Sequence, residues 1–250
     1  MNTGSQLAPL FYAARLNDIE MIELLCRHGA EVDIHRIFTH NFEITPLYFA
    51  AKRARFTVVS KLIELGANVN TRIGHPYEST TALIEASGHG GDRKSVQVAK
   101  ILLDAGVDIS ATGPERVTAL HRASSSKRVH TVKLLIERGA NINALDLTGR
   151  TALLRVAEWG SKDTMEMLLD AGADICASEE EGMTALHIAA KAGKLRAVWF
   201  LIKRGASINA LESSSWTALR LAKNHGWQIV AEVLIRAGGE DFQETMESSS

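Results

Sequence analysis

The sequence lacks the features of a secreted or membrane-spanning protein. It contains only two cysteines, Cys26 and Cys176. The chain is built of repeats, and these two residues lie four repeats apart, so they should not reach the short Cα separation that a disulfide requires. Scarce cysteine favours a reducing, intracellular setting, with cytoplasm and nucleus both open. The apolar stretch 7–14 has no basic segment before it and is followed by Arg15, so we predict neither a signal peptide nor a membrane span.

An excess of charge of either sign is also absent. The 250 residues include 28 basic and 29 acidic side chains, which gives a formal net charge of −1. Nucleic acids and anionic membrane surfaces attract proteins that carry a clear excess of positive charge. We therefore expect no nucleic acid and no membrane among the partners.

Motifs for catalysis or for binding a metal are missing as well. There is no His-Glu-x-x-His helix, no Cys-x-x-Cys pair and no Gly-x-Ser-x-Gly turn, the arrangements that bind zinc or expose a nucleophilic serine. The segment 88–94 is rich in glycine but lacks the Gly-Lys-Ser/Thr order of a phosphate-binding loop and follows no predicted strand. We interpret it as an inserted surface turn, and we expect no catalytic residue, no metal and no cofactor.

What the sequence does contain is a repeat of 33 residues (151 − 118 = 33). The tripeptide Thr-Ala-Leu begins at residues 118, 151, 184 and 217, and a glycine recurs at the same interval, at 106, 139, 172, 205 and 238. Two markers with one period define a structural unit that buries its apolar face by stacking on its neighbours.

The unit 118–143 predicts two helices and a projecting connection. Thr118 is a typical N-cap residue, which predicts a short helix over 119–125. Residues 127–137 carry apolar side chains at close to a 3.6-residue period, which predicts a second helix with one buried face. Arg138 and Gly139 should end that helix. The residues that follow alternate and turn, as in an extended, hairpin-like finger.

These features resemble the ankyrin repeat. The family's Thr-Pro-Leu-His signature is matched at 118–121 and 184–187 with Ala in place of Pro, and at 45–48 with Tyr in place of His. The resemblance implies an all-α fold, an ankyrin-repeat solenoid of stacked helix-turn-helix units with projecting β-hairpin-like fingers. We predict one ankyrin domain over 1–239 and a disordered acidic, serine-rich tail over 240–250. The seven predicted units span about 5–41, 42–77, 78–114, 115–147, 148–180, 181–213 and 214–239.

The resemblance also implies a binding surface. The residue after the histidine position of the signature is usually exposed on the concave side of an ankyrin array. Here that ladder position is occupied by Tyr12, Phe49, Glu85, Arg122, Arg155, Ile188 and Leu221. Since aromatic residues and arginine are favoured at interface centres, we predict that the groove of units one to five, with the fingers of Phe38 and Tyr77, binds a partner protein or peptide whose middle is acidic. The plainer alternative is an arbitrary surface residue at each position.

Three other aromatic residues are candidates for partner contacts. Phe38 and Tyr77 lie in two fingers that are longer than the others. Trp199 takes the place of solvent-type residues on a second helix, which predicts either a further contact site on the convex side or partial burial against a neighbouring helix.

A further group of residues receives structural roles from the same resemblance. Threonines should cap the first helix of each unit, histidines of the signature should bond to backbone groups, and glycines should end the second helix. These residues are Thr45, Thr81, Thr118, Thr151, Thr184, Thr217, His121, His187, Gly139, Gly172 and Gly205.

The predicted function is that of a non-enzymatic, monomeric module or scaffold that binds a partner protein through its groove and fingers. Two alternatives remain. The chain could be the regulatory or targeting ankyrin portion of a larger enzyme or receptor, which a longer transcript would support. It could also be an enzyme or a ligand-binding protein that uses segment 88–94 or a histidine cluster, which a tightly retained metal or nucleotide would support.

Overall fold

The structure, a computed structural model, describes residues 9–37, 43–74 and 79–241. Within these ranges it contains 14 α-helices and one antiparallel pair of two-residue strands, so the predicted all-α class is confirmed. The chain divides into two compact units, Met1–Asn141 (unit 1) and Ile142–Ser250 (unit 2).

Unit 1 consists of four helix pairs. Its first helices pack in the order α1, α3, α5 and α7, and its second helices in the order α2, α4, α6 and α8. Fully buried leucines and isoleucines lie between them, and their burial drives the stacking. The helices are α1 Pro9–Leu16, α2 Ile19–Arg27, α3 Pro46–Lys52, α4 Phe56–Glu64, α5 Ala82–Gly88, α6 Asp92–Asp104, α7 Ala119–Ser125 and α8 Val129–Glu137.

Unit 2 repeats the arrangement with three pairs. Helix α11 packs between α9 and α13, and α12 packs between α10 and α14. These helices are α9 Ala152–Trp159, α10 Lys162–Asp170, α11 Ala185–Lys191, α12 Leu195–Lys203, α13 Ala218–Asn224 and α14 Gln228–Arg236. Each of the seven pairs in the described chain lies inside one of the repeats proposed from the sequence.

The ends of the helices follow from local chemistry. Thr118 Oγ1 accepts a hydrogen bond from the backbone N–H of His121 at 3.3 Å, and α7 begins at Ala119 as predicted. Equivalent bonds are made by Thr45, Thr81, Thr151 and Thr217. At the other end of the repeat, Gly139 has a φ of +81°, and Gly172 and Gly205 have similar values. A side chain there would meet nothing within 4 Å, so the left-handed backbone, and not lack of space, favours glycine.

The predicted fingers are present. Strand β1 (Arg36–Ile37) pairs with β2 (Glu43–Ile44), and single bridges such as Ile73 to Thr80 close other fingers. Asparagines tie successive fingers together: Asn143 Oδ1 accepts the N–H of Asp174 at 3.0 Å, and its Nδ2 donates to the Gly172 carbonyl at 3.2 Å. Asn70 and Asn209 make the corresponding bonds. The fingers are therefore cross-linked by hydrogen bonds between asparagine side chains and backbone groups.

One interpretation from the sequence is wrong. The four additional residues of the third repeat do not form a surface turn, because the turn between α5 and α6 has the usual three residues. Instead α6 has 13 residues, against 9 in both α4 and α8. The insertion adds about one helical turn at the start of α6. Gly90 in the preceding turn allows close packing, since a Cβ there would lie 2.8 Å from Cβ of Ala54.

The predicted tail also begins differently from expectation. The backbone N–H of Glu240 donates to Asn209 at 2.8 Å, and Asp241 pairs with Lys223 at 2.7 Å. Glu240 therefore continues the finger pattern of the earlier repeats, and Asp241 is held to α13. Residues 242–250 lie outside the described part of the chain.

Candidate functional site

The predicted ladder is exposed at its start. Tyr12 on α1 is 47% exposed. Phe49, at the same position of α3, is half-buried against the cluster formed by Phe11, Ile44, Tyr48 and Ile73. Both aromatic side chains are therefore accessible on the first helices of unit 1. Phe38 and Tyr77, the predicted finger contacts, lie outside the described residues.

The expected exposure of Glu85 is wrong. Its side chain is only 6% exposed, and its carboxylate lies 3.4 Å from Lys52 Nζ and 3.4 Å from His89 Nδ1. It also hydrogen-bonds Tyr48, and burial, reinforced by the Glu85 charge, raises the pKa of the Tyr48 hydroxyl well above its ordinary value. Because a buried carboxylate needs such partners, Glu85 is the centre of a polar cluster that includes Tyr48, Lys52 and His89.

Arg122 borders the same cluster. It is half-buried, and its aliphatic part lies over α5, where a Cβ on Gly88 would come within 2.6 Å of Arg122 Cδ. Its charge acts on Tyr48 in the opposite sense to that of Glu85. Its Nε is buried without a hydrogen-bond partner among the described residues. Arg122 is therefore partly accessible as a side chain, although its unused donor Nε is itself buried.

Arg155 is engaged by the finger that precedes its own repeat. Its Nε and one terminal nitrogen both lie 2.6 Å from Oδ2 of Asp146, which is buried. Desolvation alone would raise the pKa of Asp146, but hydrogen bonds from Arg150 and Thr148 and the Arg155 charge outweigh it and lower that pKa. The geometry gives Arg155 the task of holding the finger to α9.

The expected exposure of Ile188 and Leu221 is also wrong. The two side chains are 5% and 6% exposed. They lie on α11 and α13, whose first-helix neighbours pack directly against them within unit 2. Aliphatic side chains at this position are covered by the stack, so this part of the ladder offers little surface for contact.

Trp199 is exposed on the second helices of unit 2. It is 52% accessible, and Lys203 Nζ lies 5.3 Å from the centre of its ring. A shallow groove of about 370 Å³ runs beside it towards Val233 and Arg236. The sequence left open whether Trp199 is available for contact or packed against a neighbouring helix. Its side chain is accessible, and a contact role for it stays a prediction.

The two signature histidines lie inside the repeats. His187 Nδ1 accepts the backbone N–H of Thr184 at 3.2 Å, while Nε2 lies 3.0 Å from the carbonyl of Ala210 and 3.2 Å from that of Trp216. Burial lowers the pKa of His187 below its usual value. His121 pairs with Thr118 in the same way. This geometry suits neutral imidazoles that join backbone groups.

The sequence analysis did not predict the cations that lie over the rings of Tyr48 and Phe49. Lys52 Nζ lies 5.7 Å from the ring centre of Tyr48, and the Arg53 guanidinium lies 5.6 Å from that of Phe49. A spacing of four residues on a helix places a cation over an aromatic ring. The spacing of Phe49 and Arg53 was the only signal in the sequence that could have revealed this contact.

The part of the chain that the structure describes lacks two other kinds of feature, a metal-binding cluster and a membrane-spanning helix. No group of three or more histidine, cysteine or acidic side chains there is placed to hold a metal ion. No described helix is both long enough and apolar enough to cross a bilayer. Cys26 and Cys176 are free thiols.

Helix pairs stacked with short fingers, and a surface that offers side chains for contact, define a repeat-built interaction scaffold. Family profiles agree with this class. The profile for ankyrin repeats in three copies matches residues 10–113 and 83–179, and the profile for many copies matches 168–222. The chain belongs to the ankyrin repeat family, whose repeats are protein-interaction modules and typically not enzymes.

Individual relatives are similar over part or most of the chain. The crystal structure of the ankyrin repeat domain of Bcl-3, described as a unique member of the IkappaB protein family, superposes with a TM-score of 0.75 and 30% identity, over 92% of this chain and 98% of that domain. Ankyrin repeat and SOCS box protein 6 of Homo sapiens is 35% identical over 106 residues, which are 41% of this chain and 24% of that protein.

A second curated relative is matched over a shorter stretch. Ankyrin repeat and SOCS box protein 16 of Mus musculus is 35% identical over 85 residues, 34% of this chain and 19% of that protein. The chain therefore matches only about a quarter, or less, of the length of these curated relatives.

Proposed function

We propose that the protein binds a partner protein through the aromatic–cation face of unit 1, which we define as Tyr12, Phe49, Arg53 and Arg122. The observation that carries this proposal is the exposure of Tyr12 beside Phe49, at equivalent positions of two helices that pack together. Accessible aromatic residues next to arginine are typical of interface centres.

The charge of this face favours an acidic segment in the partner. Lys52, Arg53 and Arg122 supply three positive charges, and the buried carboxylate of Glu85 offsets only one of them. Such an imbalance accelerates association with an acidic partner and disfavours a basic one. Arg155, Ile188 and Leu221, which the sequence also placed on the ladder, are left out because of their ion pair or their burial.

Affinity capture from the source cells tests the proposal. The wild-type protein is compared with Tyr12→Ala and with Tyr12→Ala/Phe49→Ala, and the matched control is Met21→Ala/Leu24→Ala, which removes two exposed apolar side chains of α2. Truncation of an anchor residue costs about 2 kcal/mol or more, so the face variants should lose most of a partner that the control retains. Thermal unfolding checks that Phe49→Ala remains folded. Equal recovery of all partners by every variant would reject the proposal.

The alternative, an ankyrin portion that targets a larger enzyme or receptor, is favoured by one observation. The curated relatives whose names combine ankyrin repeats with a SOCS box are much longer than the stretch they share with this chain. Transcript and protein size in the source cells test it, since a product much larger than 250 residues is expected only under this alternative.

A further inference from the structure

A cavity on unit 1 brings three cations together. It lies at the turn between α3 and α4, has a volume of about 360 Å³ and has no acidic residue in its lining. It is lined by Asn17, Arg53, Ala54, Arg55, Phe56, Thr57 and Lys94.

The three cations lack carboxylate partners in the described chain. Arg53 contacts the ring of Phe49, while Arg55 Nε is buried with no hydrogen-bond partner there. Some arginines elsewhere do have a carboxylate partner: Arg138, for example, pairs with Asp104 at 2.8 Å. Like charges that share a cavity repel one another unless an anion is present.

Lys94 reaches this cavity because of the insertion in the third repeat. It belongs to the additional first turn of α6 and has no counterpart in the shorter α4 and α8. The nearest acidic residue in sequence, Asp92, is engaged by His130 of the next repeat at 2.6 Å. Asp18, beside Asn17, caps α2 through the N–H of Met21. Neither carboxylate belongs to the lining of the cavity.

The cavity is held in shape from three sides. Thr57 donates to Asn17 at 3.1 Å, which joins the first and second repeats. Close packing of Gly90 on Ala54 joins the second and third repeats. The stacking of Arg53 on Phe49 holds the first of the cations. A preformed arrangement of donors binds an anion without first paying for ordering.

We propose that this cavity binds a phosphate monoester, carried on a phosphorylated side chain of a partner protein. Two guanidinium groups and one ammonium group match a dianion with three acceptor oxygens better than they match a single carboxylate. The ring of Phe56, which is partly exposed in the lining, offers an apolar contact for the carbon atoms that carry the phosphate. The source of the phosphate, a protein, rests on the proposed function, whereas the anion site does not.

Nuclear magnetic resonance titration of the full chain tests this inference. The probe is N-acetyl-O-phosphoserine N-methylamide, compared with its unphosphorylated form and with inorganic phosphate at the same ionic strength. We expect the phosphorylated probe to cause saturable shifts of the backbone amides of Ala54, Thr57 and Lys94, and the unphosphorylated form to cause none. Inorganic phosphate should bind at least tenfold more weakly than the phosphorylated probe. Equal binding of inorganic phosphate, or shifts that do not saturate, would overturn the assignment.

Charge-matched variants separate the site from general attraction. Arg55→Gln/Lys94→Gln should weaken binding of the probe at least tenfold. The control Lys100→Gln/Arg116→Gln removes the same number of positive charges, from two exposed side chains of unit 1, and should leave binding unchanged. If the first double variant fails to fold, Lys94→Gln alone should weaken binding at least threefold. Equal weakening in the control would refute the site. Failure here leaves the capture experiment with Tyr12→Ala unaffected, so the two proposals fail separately.

Discussion

Two glycines in consecutive turns of unit 2 make a sharp test of how closely the repeats pack. Gly193 and Gly226 have nearly the same backbone, with φ of +66° and +72°. A Cβ on Gly226 would meet nothing within 4 Å, whereas one on Gly193 would lie 2.5 Å from two ring atoms of Trp227. The indole of Trp227 is also fixed by a 3.0 Å hydrogen bond to the Lys191 carbonyl.

Alanine should therefore be tolerated differently at the two positions. Gly226→Ala should lower the free energy of unfolding by about 1 kcal/mol, because alanine is strained in a left-handed backbone. Gly193→Ala should cause the same backbone strain and must also displace the indole of Trp227. Overpacking and the lost hydrogen bond should destabilise the protein by about 1–3 kcal/mol more. With an m value of about 2 kcal/mol per M urea, the difference corresponds to roughly 0.5–1.5 M in the unfolding midpoint.

Tryptophan fluorescence in urea is the assay, because all four tryptophans, Trp159, Trp199, Trp216 and Trp227, lie in unit 2. In a Trp227→Ala background the excess cost at residue 193 should disappear and leave about 1 kcal/mol. Equal midpoints for Gly193→Ala and Gly226→Ala, or an excess that persists without the indole, would refute this reasoning.

Three further outcomes are expected. Arg155→Gln should destabilise unit 2 by about 2 kcal/mol, less than the loss of a fully buried pair because Asp146 keeps its other hydrogen bonds; an unchanged urea midpoint would contradict this. Lowering the pH from 7.5 to 5.5 should destabilise unit 2, because the pKa of His187 in the folded protein is below its ordinary 6.5 and the unfolded chain therefore takes up the proton first. The loss of stability starts as the pH falls through about 6.5. A His187→Asn variant should lose less stability over the same pH range. Burial raises the pKa of Cys26, so a thiol reagent at neutral pH should modify exposed Cys176 first, and mass mapping of the labelled peptides checks the order.

The repeat itself was predictable because its signals are local. Thr118 caps α7 and Gly139 follows the end of α8, and both act on backbone groups within a few residues. Side-chain environments were less predictable. The ladder is the same position of the signature in every repeat, yet Tyr12 is exposed and Leu221 is buried. The exposure of a side chain there depends on the neighbouring helices and on the size of their side chains.

The cation cavity could not be predicted for a related reason. Arg53 and Arg55 come from the second repeat and Lys94 from the third, and only packing brings them together. The insertion also gave a misleading local signal. Its glycines favour a turn, but the four additional residues follow them and continue α6 towards its N-terminus.

Site-specific photo-crosslinking in the source cells tests most directly whether the aromatic–cation face contacts a partner. A photoreactive phenylalanine analogue replaces Tyr12, and in a matched protein it replaces Leu24 on α2, which is equally exposed. We expect one protein to be crosslinked from position 12 and not from position 24, and to be lost when Phe49→Ala and Arg53→Glu are added. Crosslinking of the same protein with equal yield from both positions, or none from position 12, would contradict partner binding by this face.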